Sequence, residues 1–393
     1  MRLDEKPLVK KGTSIHMSAA VDLLKTLVSI DSINPDLVPG SAGEAAIAQY
    51  VANWLKQAGF EVELDEPAPG RISVIGIAHG TGGGRSLLLN AHMDTVGVAG
   101  MEQPHEPVIV DNRLYGRGAY DMKSGLAAIM LAAAAAKQRQ LRGDIIVTAV
   151  ADEEYASIGT QSLVKRLRAD AAIVAEPTEL NICIAHKGFV WLEIETRGVA
   201  AHGSRPDLGV DAIVKMGKVL TGLEALQHSL QAGKGHPLLG TGSIHASLIS
   251  GGQELSSYPE RCLLSVERRT IPGESTQHVE AQLRQIIDEI SAADISFQAT
   301  LKTTLERDPS EISWQASIVQ TLNQQASAIL GKQPEVIGAS YWMDTALFSA
   351  SGIPTVTFGP GGAGAHAVVE WADLDQLERC AAVLQATIEQ FCQ

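Results

Sequence analysis

The chain has 393 residues, 45% hydrophobic and 19% charged, enough for one large core or two medium ones; a disordered tail, a fibre and a disulfide-stapled mini-protein are excluded. Its 31 basic and 45 acidic residues sum to −14, which argues against nucleic acid or an anionic membrane as partner, since both demand concentrated Lys and Arg. Four cysteines, Cys183, Cys262, Cys380 and Cys392, form no C-x-x-C pair, so neither a disulfide framework nor a thiolate zinc cluster is indicated, and a reducing cytoplasm fits.

Residues 1–17 carry charges with no apolar stretch behind them and do not read as a secretory signal. They read as an extension outside the fold, because a periodic helical pattern begins only after Met17. No apolar run reaches the roughly 18 residues of a membrane span. Helical periodicity covers 18–30, 43–58 and 122–139, and short apolar runs at 73–78, 86–91, 144–150 and 171–175 predict strands. Runs that are apolar throughout predict strands covered on both faces, as in a mostly parallel α/β sheet. LAAAAAKQ at 131–138 predicts a small-residue helix packed closely on that sheet.

The middle of the chain reads as strand 189–198, helix 208–229, strands 243–250 and 261–270, helix 275–291 and strand 295–303. That β-α-β-β-α-β order is the split-βαβ, ferredoxin-like unit. A helix at 311–329, a strand at 353–358 and a helix at 372–391 resume the α/β pattern. The simplest account is an α+β unit, 187–303, inserted into a larger α/β unit built from 18–186 and 304–393.

Open α/β sheets carry their functional groups on loops at the carboxyl ends of strands. After the apolar runs come His92 and Asp94, Asp152-Glu153-Glu154 and Glu176; Asp121 follows the turn GRGAY, and His366 follows TVTFGPGGAGA. Singly, each has a plainer reading: a polar turn for His92, a helix N-terminus for the Glu pair, an N-cap for Asp121, a turn for Glu176, an exposed loop for His366. Together they converge on one rim. Carboxylates and imidazoles without thiolate suit a catalytic zinc, cobalt or manganese site. Two His and three or four carboxylates exceed what one tetrahedral ion needs, so two ions sharing a bridging carboxylate are expected, able to activate a water and polarise a carbonyl oxygen. One of Glu153 and Glu154 can then bind metal while the other moves the proton. Asp94 is placed to orient the His92 imidazole.

His92-Met93-Asp94-Thr95-Val96, Gly116-Arg117-Gly118-Ala119-Tyr120-Asp121-Met122-Lys123-Ser124-Gly125, Asp152-Glu153-Glu154, Glu176-Pro177 and Gly364-Ala365-His366 resemble the signature blocks of the co-catalytic zinc metallopeptidase family of acetylornithine deacetylases, succinyl-diaminopimelate desuccinylases, aminoacylases and glutamate carboxypeptidases. The resemblance runs from about residue 20 to the C-terminus. It implies that Asp121 bridges two metal ions, that His92 and Glu176 complete one site and Glu154 and His366 the other, and that Glu153 is the general base. It also implies that the inserted unit is a lid forming a homodimer interface, that His202 stabilises the oxyanion, often of the partner subunit's site, and that Arg269 grips a substrate carboxylate.

Ser256 stands where the family commonly has Asn, and Tyr341-Trp342-Met343 precede Asp344 where a small Thr or Ser is usual. Val368-Val369 precede Glu370 where Asn or Asp is frequent. The loop Gly359-Pro360-Gly361-Gly362 offers backbone N–H groups, with Gly361 central, to a substrate carboxylate. The implied activity is hydrolysis of the amide of a small N-acylated amino acid. A carboxypeptidase or dipeptidase of the same family and a non-catalytic metal-binding relic are the competing readings.

Overall fold

A computed structural model describes residues 18–393, so the expectation for residues 1–17 lies outside the described residues. The first part of the chain runs α1 (Ala19–Ser29), α2 (Ala45–Gln57), β1 (Glu61–Ala68), β2 (Arg71–Ala78), β3 (Leu87–His92), β4 (Val108–Val110), β5 (Arg113–Tyr115), α3 (Ser124–Lys137), β6 (Ile145–Val150), α4 (Ile158–Leu163), β7 (Ala171–Val174) and β8 (Ile182–His186). The middle is β9 (Gly188–Arg197), α5 (Ala212–Ala232), β10 (Ser243–Gly251), β11 (Arg261–Thr270), α6 (Thr276–Ala293) and β12 (Gln298–Arg307). The last part is β13 (Ser310–Glu311), α7 (Ser317–Leu330), β14 (Val336–Ala339), α8 (Thr345–Ala350), β15 (Thr355–Thr357), β16 (Gly362–Ala363), β17 (Trp371–Asp373) and α9 (Leu374–Phe391).

A nine-stranded sheet in the order β1-β2-β6-β3-β7-β15-β8-β13, with β14 alongside β8, forms the base of the molecule. Its centre is parallel, β6 with β3, β3 with β7 and β7 with β15. The strand at 73–78, expected within the parallel sheet, instead pairs antiparallel with β6. An all-apolar run reports cover on both faces, and it is silent about direction. The central strands β3, β6 and β7 are buried along their whole length. Alternate side chains feed two cores: Leu87, Leu89 and Ala91 pack with α1, α2, α3, α7 and α9, while Leu88, Ile146 and Val174 pack with Leu163 and Phe348.

Helix α3 is the small-residue helix read from the sequence. A Cβ at Gly125 would stand 2.1 Å from the Ala175 carbonyl oxygen, so only a bare backbone fits against the end of β7. The middle segment forms a separate antiparallel sheet, β10-β11-β9-β12, with strand order and helix placement of the split-βαβ unit. Strand β9 alternates buried and half-exposed positions, its buried Val190, Leu192 and Ile194 facing Met216 and Val219 of α5 and Val279 and Leu283 of α6. Asp211 and Ser275 cap these two helices by accepting hydrogen bonds from the Val214 and His278 N–H groups.

The expected helix at 311–329 begins only at Ser317. Ser310 pairs with His186 and the Ile312 N–H bonds the Ile184 carbonyl, so sheet pairing takes the residues that the apolar periodicity assigned to a helix. Strand β1 was absent from the sequence reading because its burial is slight and its residues mostly polar. All four cysteines are free and buried, and no helix among the described residues is long and apolar enough to cross a membrane.

His186, at the end of β8, is buried, its Nδ1 bonded to the Lys187 carbonyl at 3.0 Å and its Nε2 without a partner. Burial pushes this imidazole down to about 4, against about 6.5 unfolded. The unfolded chain therefore binds the extra proton between those values. Stability from this residue is complete above about pH 6.5 and is lost as pH falls toward 4, by about 2 kcal/mol at pH 4.5. Urea midpoints at pH 7 and 4.5 should fall less in His186→Gln than in the unmodified protein; equal falls would assign the dependence to other groups.

Candidate active site

The acidic rim forms where β3, β6 and β7 end together. His92 is the last residue of β3, Asp152-Glu153-Glu154 begin two residues past β6, and Glu176 lies two residues past β7. Asp121 arrives from the side in an irregular turn, Ala119–Lys123, whose backbone is extended at Asp121 (φ −114°, ψ 97°) and which leads into α3. His366 comes from the turn between β16 and β17, with φ of 60°.

Asp121 stands at the middle. Its Oδ1 lies 3.2 Å from His92 Nε2 and its Oδ2 lies 3.4 Å from His366 Nε2. Glu176 Oε1 flanks His92 Nε2 at 3.7 Å, and Glu154 Oε2 flanks His366 Nε2 at 3.0 Å. Donor atoms of His92, Asp121 and Glu154 lie within 4.8 Å of one another, as do those of His92, Glu153 and Glu176.

Protein groups alone leave this cluster short of positive charge. Burial raises the carboxyls of Glu153 and Glu176 well above the usual range, and Glu154 up to about 7. Hydrogen bonds to Asp121 and Glu154 lift His366 to about 10. His92, although burial opposes its protonation, is raised by Asp121 and the neighbouring carboxylates. Acids that hold protons and imidazoles that hold theirs mark a site built around cations, and the donor set of two imidazoles and four carboxylates suits zinc-like ions.

The supports of the rim explain its shape. His92 Nδ1 bonds the Asp94 backbone carbonyl at 2.9 Å, whereas the Asp94 carboxylate is 3.6 Å away. The imidazole is thus oriented mainly through the Asp94 backbone. Its carboxylate accepts from the Glu153 and Glu154 N–H groups at 3.1 and 3.2 Å and from Asn34 Nδ2 at 2.7 Å, fixing the loop that carries both glutamates. Beneath that loop Asp152, with φ of 71°, pairs with Arg71, which also pairs with Glu44 and Asp36. Glu370 accepts from the N–H groups of Gly118, Tyr120 and Asp121 at 3.0, 2.9 and 3.1 Å and from Arg117 at 2.6 Å. Asn34, Arg71 and Arg117 carry no local signal of this role in the sequence, and Glu370 stands out there only as a departure after His366; the position of Arg117 within the Gly116–Gly125 motif is the one hint.

The other expected residues lie elsewhere. His202 is exposed on the inserted unit, bonded to Ser204 and bridged to Ser257, and does not line the cleft over the rim. Ser256 is exposed beside it and offers its backbone carbonyl to Gly203. Arg269 pairs with Glu267 and stands 5.2 Å over the Phe189 ring. Gly361 is buried against Glu179, and the neighbouring Gly362 N–H already donates to that carboxylate at 3.3 Å.

Residues 88–390 match the family model described as Peptidase family M20/M25/M40. The chain belongs to this family. An acetylornithine deacetylase from Myxococcus xanthus is 31% identical over 88% of this chain and 92% of its own. The N-formyl-4-amino-5-aminomethyl-2-methylpyrimidine deformylase of Bacillus subtilis is 27% identical over 98% and 97%. Among solved structures, a tripeptidase from Staphylococcus aureus shares the fold with a TM-score of 0.79, at 21% identity over 95% of this chain and 98% of its own. Like the family, the chain is a hydrolase of amide or peptide carbon–nitrogen bonds.

Replacing Glu370 by Gln removes the charge that gathers three N–H groups under Asp121. Metal affinity or turnover should fall about 10–100-fold with the fold intact by circular dichroism. Unchanged titration of zinc by calorimetry together with unchanged turnover would refute this support role.

Proposed function

We propose that this chain removes the acyl group from small N-acylated amino acids, in the manner of acetylornithine deacetylases, with two resident zinc ions for which cobalt or manganese can substitute. Asp121 carries the reading, because its two oxygens face His92 on one side and His366 on the other. Asp121 would bridge the ions, with His92 and Glu176 holding one and Glu154 and His366 the other. Such a pair supplies an acidified water and a polarised carbonyl oxygen.

The protein's own work is positional and protolytic. Glu153, within reach of His92 and Glu176 but outside the Asp121 bridge, is the free carboxylate that accepts the water proton and passes it to the leaving amine. Its backbone N–H is held by Asp94, which fixes where the loop presents the side chain. Two full-length relatives with different amines, an acetylated amino acid and a formylated pyrimidine by their names, support deacylation as the common chemistry. The free, buried cysteines fit a cytoplasmic location.

Glu153→Gln should keep two equivalents of metal and lose turnover of N-acetyl amino acids by about 10²–10⁴. Metal analysis and acetate release measure the two quantities separately, and a fully active variant would remove Glu153 from the mechanism.

The unit 187–303 acts in this proposal as lid and homodimer interface. Its edge strand β10 exposes Leu248 at 72% and Ile249 at 55%, and His202 does not line the cleft over its own chain's rim. His202 would serve the oxyanion of the partner's site, and Arg269 a substrate carboxylate, with Ser256 and Gly361 as further substrate contacts. His202→Ala should lower kcat about 10²–10³ at unchanged metal content. Mixing His202→Ala with Glu153→Gln subunits should restore activity, since one site of the mixed dimer has both groups; no restoration would assign the donor to its own chain.

A further inference from the structure

Above the rim lies a cleft of about 290 Å³. Its acidic floor is the cluster already described. Its other wall is Tyr120, Pro177, Tyr341, Trp342 and Ala365, and neither Lys nor Arg lines it among the described residues. Tyr341 and Trp342 belong to the segment that departs from the family pattern. Their polar tips are already engaged: the Tyr341 hydroxyl donates to the Pro177 carbonyl at 3.0 Å, and the Trp342 indole N–H donates to the Asp308 carbonyl at 3.1 Å. What remains toward the cleft is ring surface.

Ring surface serves either an apolar group or a cation. Two features of the wall decide between them. The Arg307 guanidinium stands 5.6 Å from the Trp342 ring, so the quadrupole of that ring is already used and a second cation there meets like charge. Trp342 is also held edge-on by His186 and Phe189, with ring centroids 6.4 and 6.3 Å away, so it cannot swing to offer a fresh face without breaking those contacts. A neutral group suffers neither penalty. An apolar cavity of about 150 Å³ already takes a benzene ring, so the space suffices for an aliphatic or aromatic side chain.

We infer that Tyr341 and Trp342, with Tyr120, select substrates whose amino-acid side chain is uncharged and apolar, and disfavour a side-chain ammonium such as that of ornithine. The inference rests on the deacylase reading and names the substrate class of that same cleft. The three aromatic residues are specificity determinants, and the acyl-transfer machinery below them is indifferent to the side chain.

N-acetylnorleucine and N-acetylornithine have side chains of matching length and differ in charge, which makes them the diagnostic pair. The zinc-loaded protein should show kcat/KM at least tenfold higher for N-acetylnorleucine, with N-acetylalanine as the common baseline. Zinc-loaded Glu153→Gln protein should bind N-acetylnorleucine at least tenfold more tightly by calorimetry, a readout independent of turnover. Tyr341→Glu, placed at a position 45% exposed and so tolerant of a carboxylate, should move the norleucine-to-ornithine ratio at least tenfold toward ornithine. Parity or an ornithine preference in the unmodified protein, a ratio unmoved by Tyr341→Glu, or no binding of either ligand overturns the inference. Selective binding without acetate release from any of the three compounds supports the wall and overturns the deacylase reading.

Discussion

The molecule is organised around a crowd of carboxylates that it cannot leave uncompensated. Asp94, Asp121, Asp152, Glu153, Glu154, Glu176, Asp344 and Glu370 all gather near the carboxyl ends of the central strands, most of them buried. Isolated ionised acids at such depth are prohibitively costly, so each must find a cation, a donor or a proton. The arrangement of the buried polar groups around the rim follows from how that demand is met.

It is met in two tiers. In the lower tier the acids are fully engaged by the protein: Asp152 and Glu44 by Arg71, Glu370 by Arg117 and three backbone N–H groups, Asp94 by Asn34 and two more. Their work is to fix the two turns that carry Asp121 and the Glu153-Glu154 pair. In the upper tier His92 and His366 face the acids, and burial leaves Glu153, Glu154 and Glu176 proton-hungry. The satisfied tier is rigid and the unsatisfied tier is chemical, and a sheet whose central strands end at one level is what stacks one upon the other.

The upper tier was legible in the sequence because chemistry-bearing residues recur after each apolar run, and the run itself announces a buried strand. His92, Glu153, Glu154 and Glu176 are found this way, while Asp121 and His366 declare themselves only by coincidence with the rest. The lower tier was not legible. Arg71 opens an ordinary strand and Asn34 sits in an unremarkable loop, and their partners lie 81 and 60 residues away in Asp152 and Asp94. Contacts of that separation leave no local pattern. The helix expected at 311–329 is present, but its start is displaced for a related reason: pairing of Ser310 with His186 is a tertiary demand that local periodicity does not encode. Conversely, alternation in β9 and the caps at Asp211 and Ser275 are local signals, and the middle unit was read with little error.

The seam between the large sheet and the inserted one lies next to the cleft, and Trp342 occupies both. Its ring touches His186 at the end of β8 and Phe189 at the start of β9, its indole N–H holds Asp308 just past β12, and its surface lines the cleft. Arg307 extends the same junction by bonding the Ala156 carbonyl, four residues from Asp152 and on the loop that carries Glu153. Both chain crossings into the inserted unit therefore run through one aromatic residue and one guanidinium. A change of angle between the two sheets would therefore move the Trp342 side of the cleft. The shape of the cleft and the placement of the inserted unit are, by this contact geometry, coupled through Trp342.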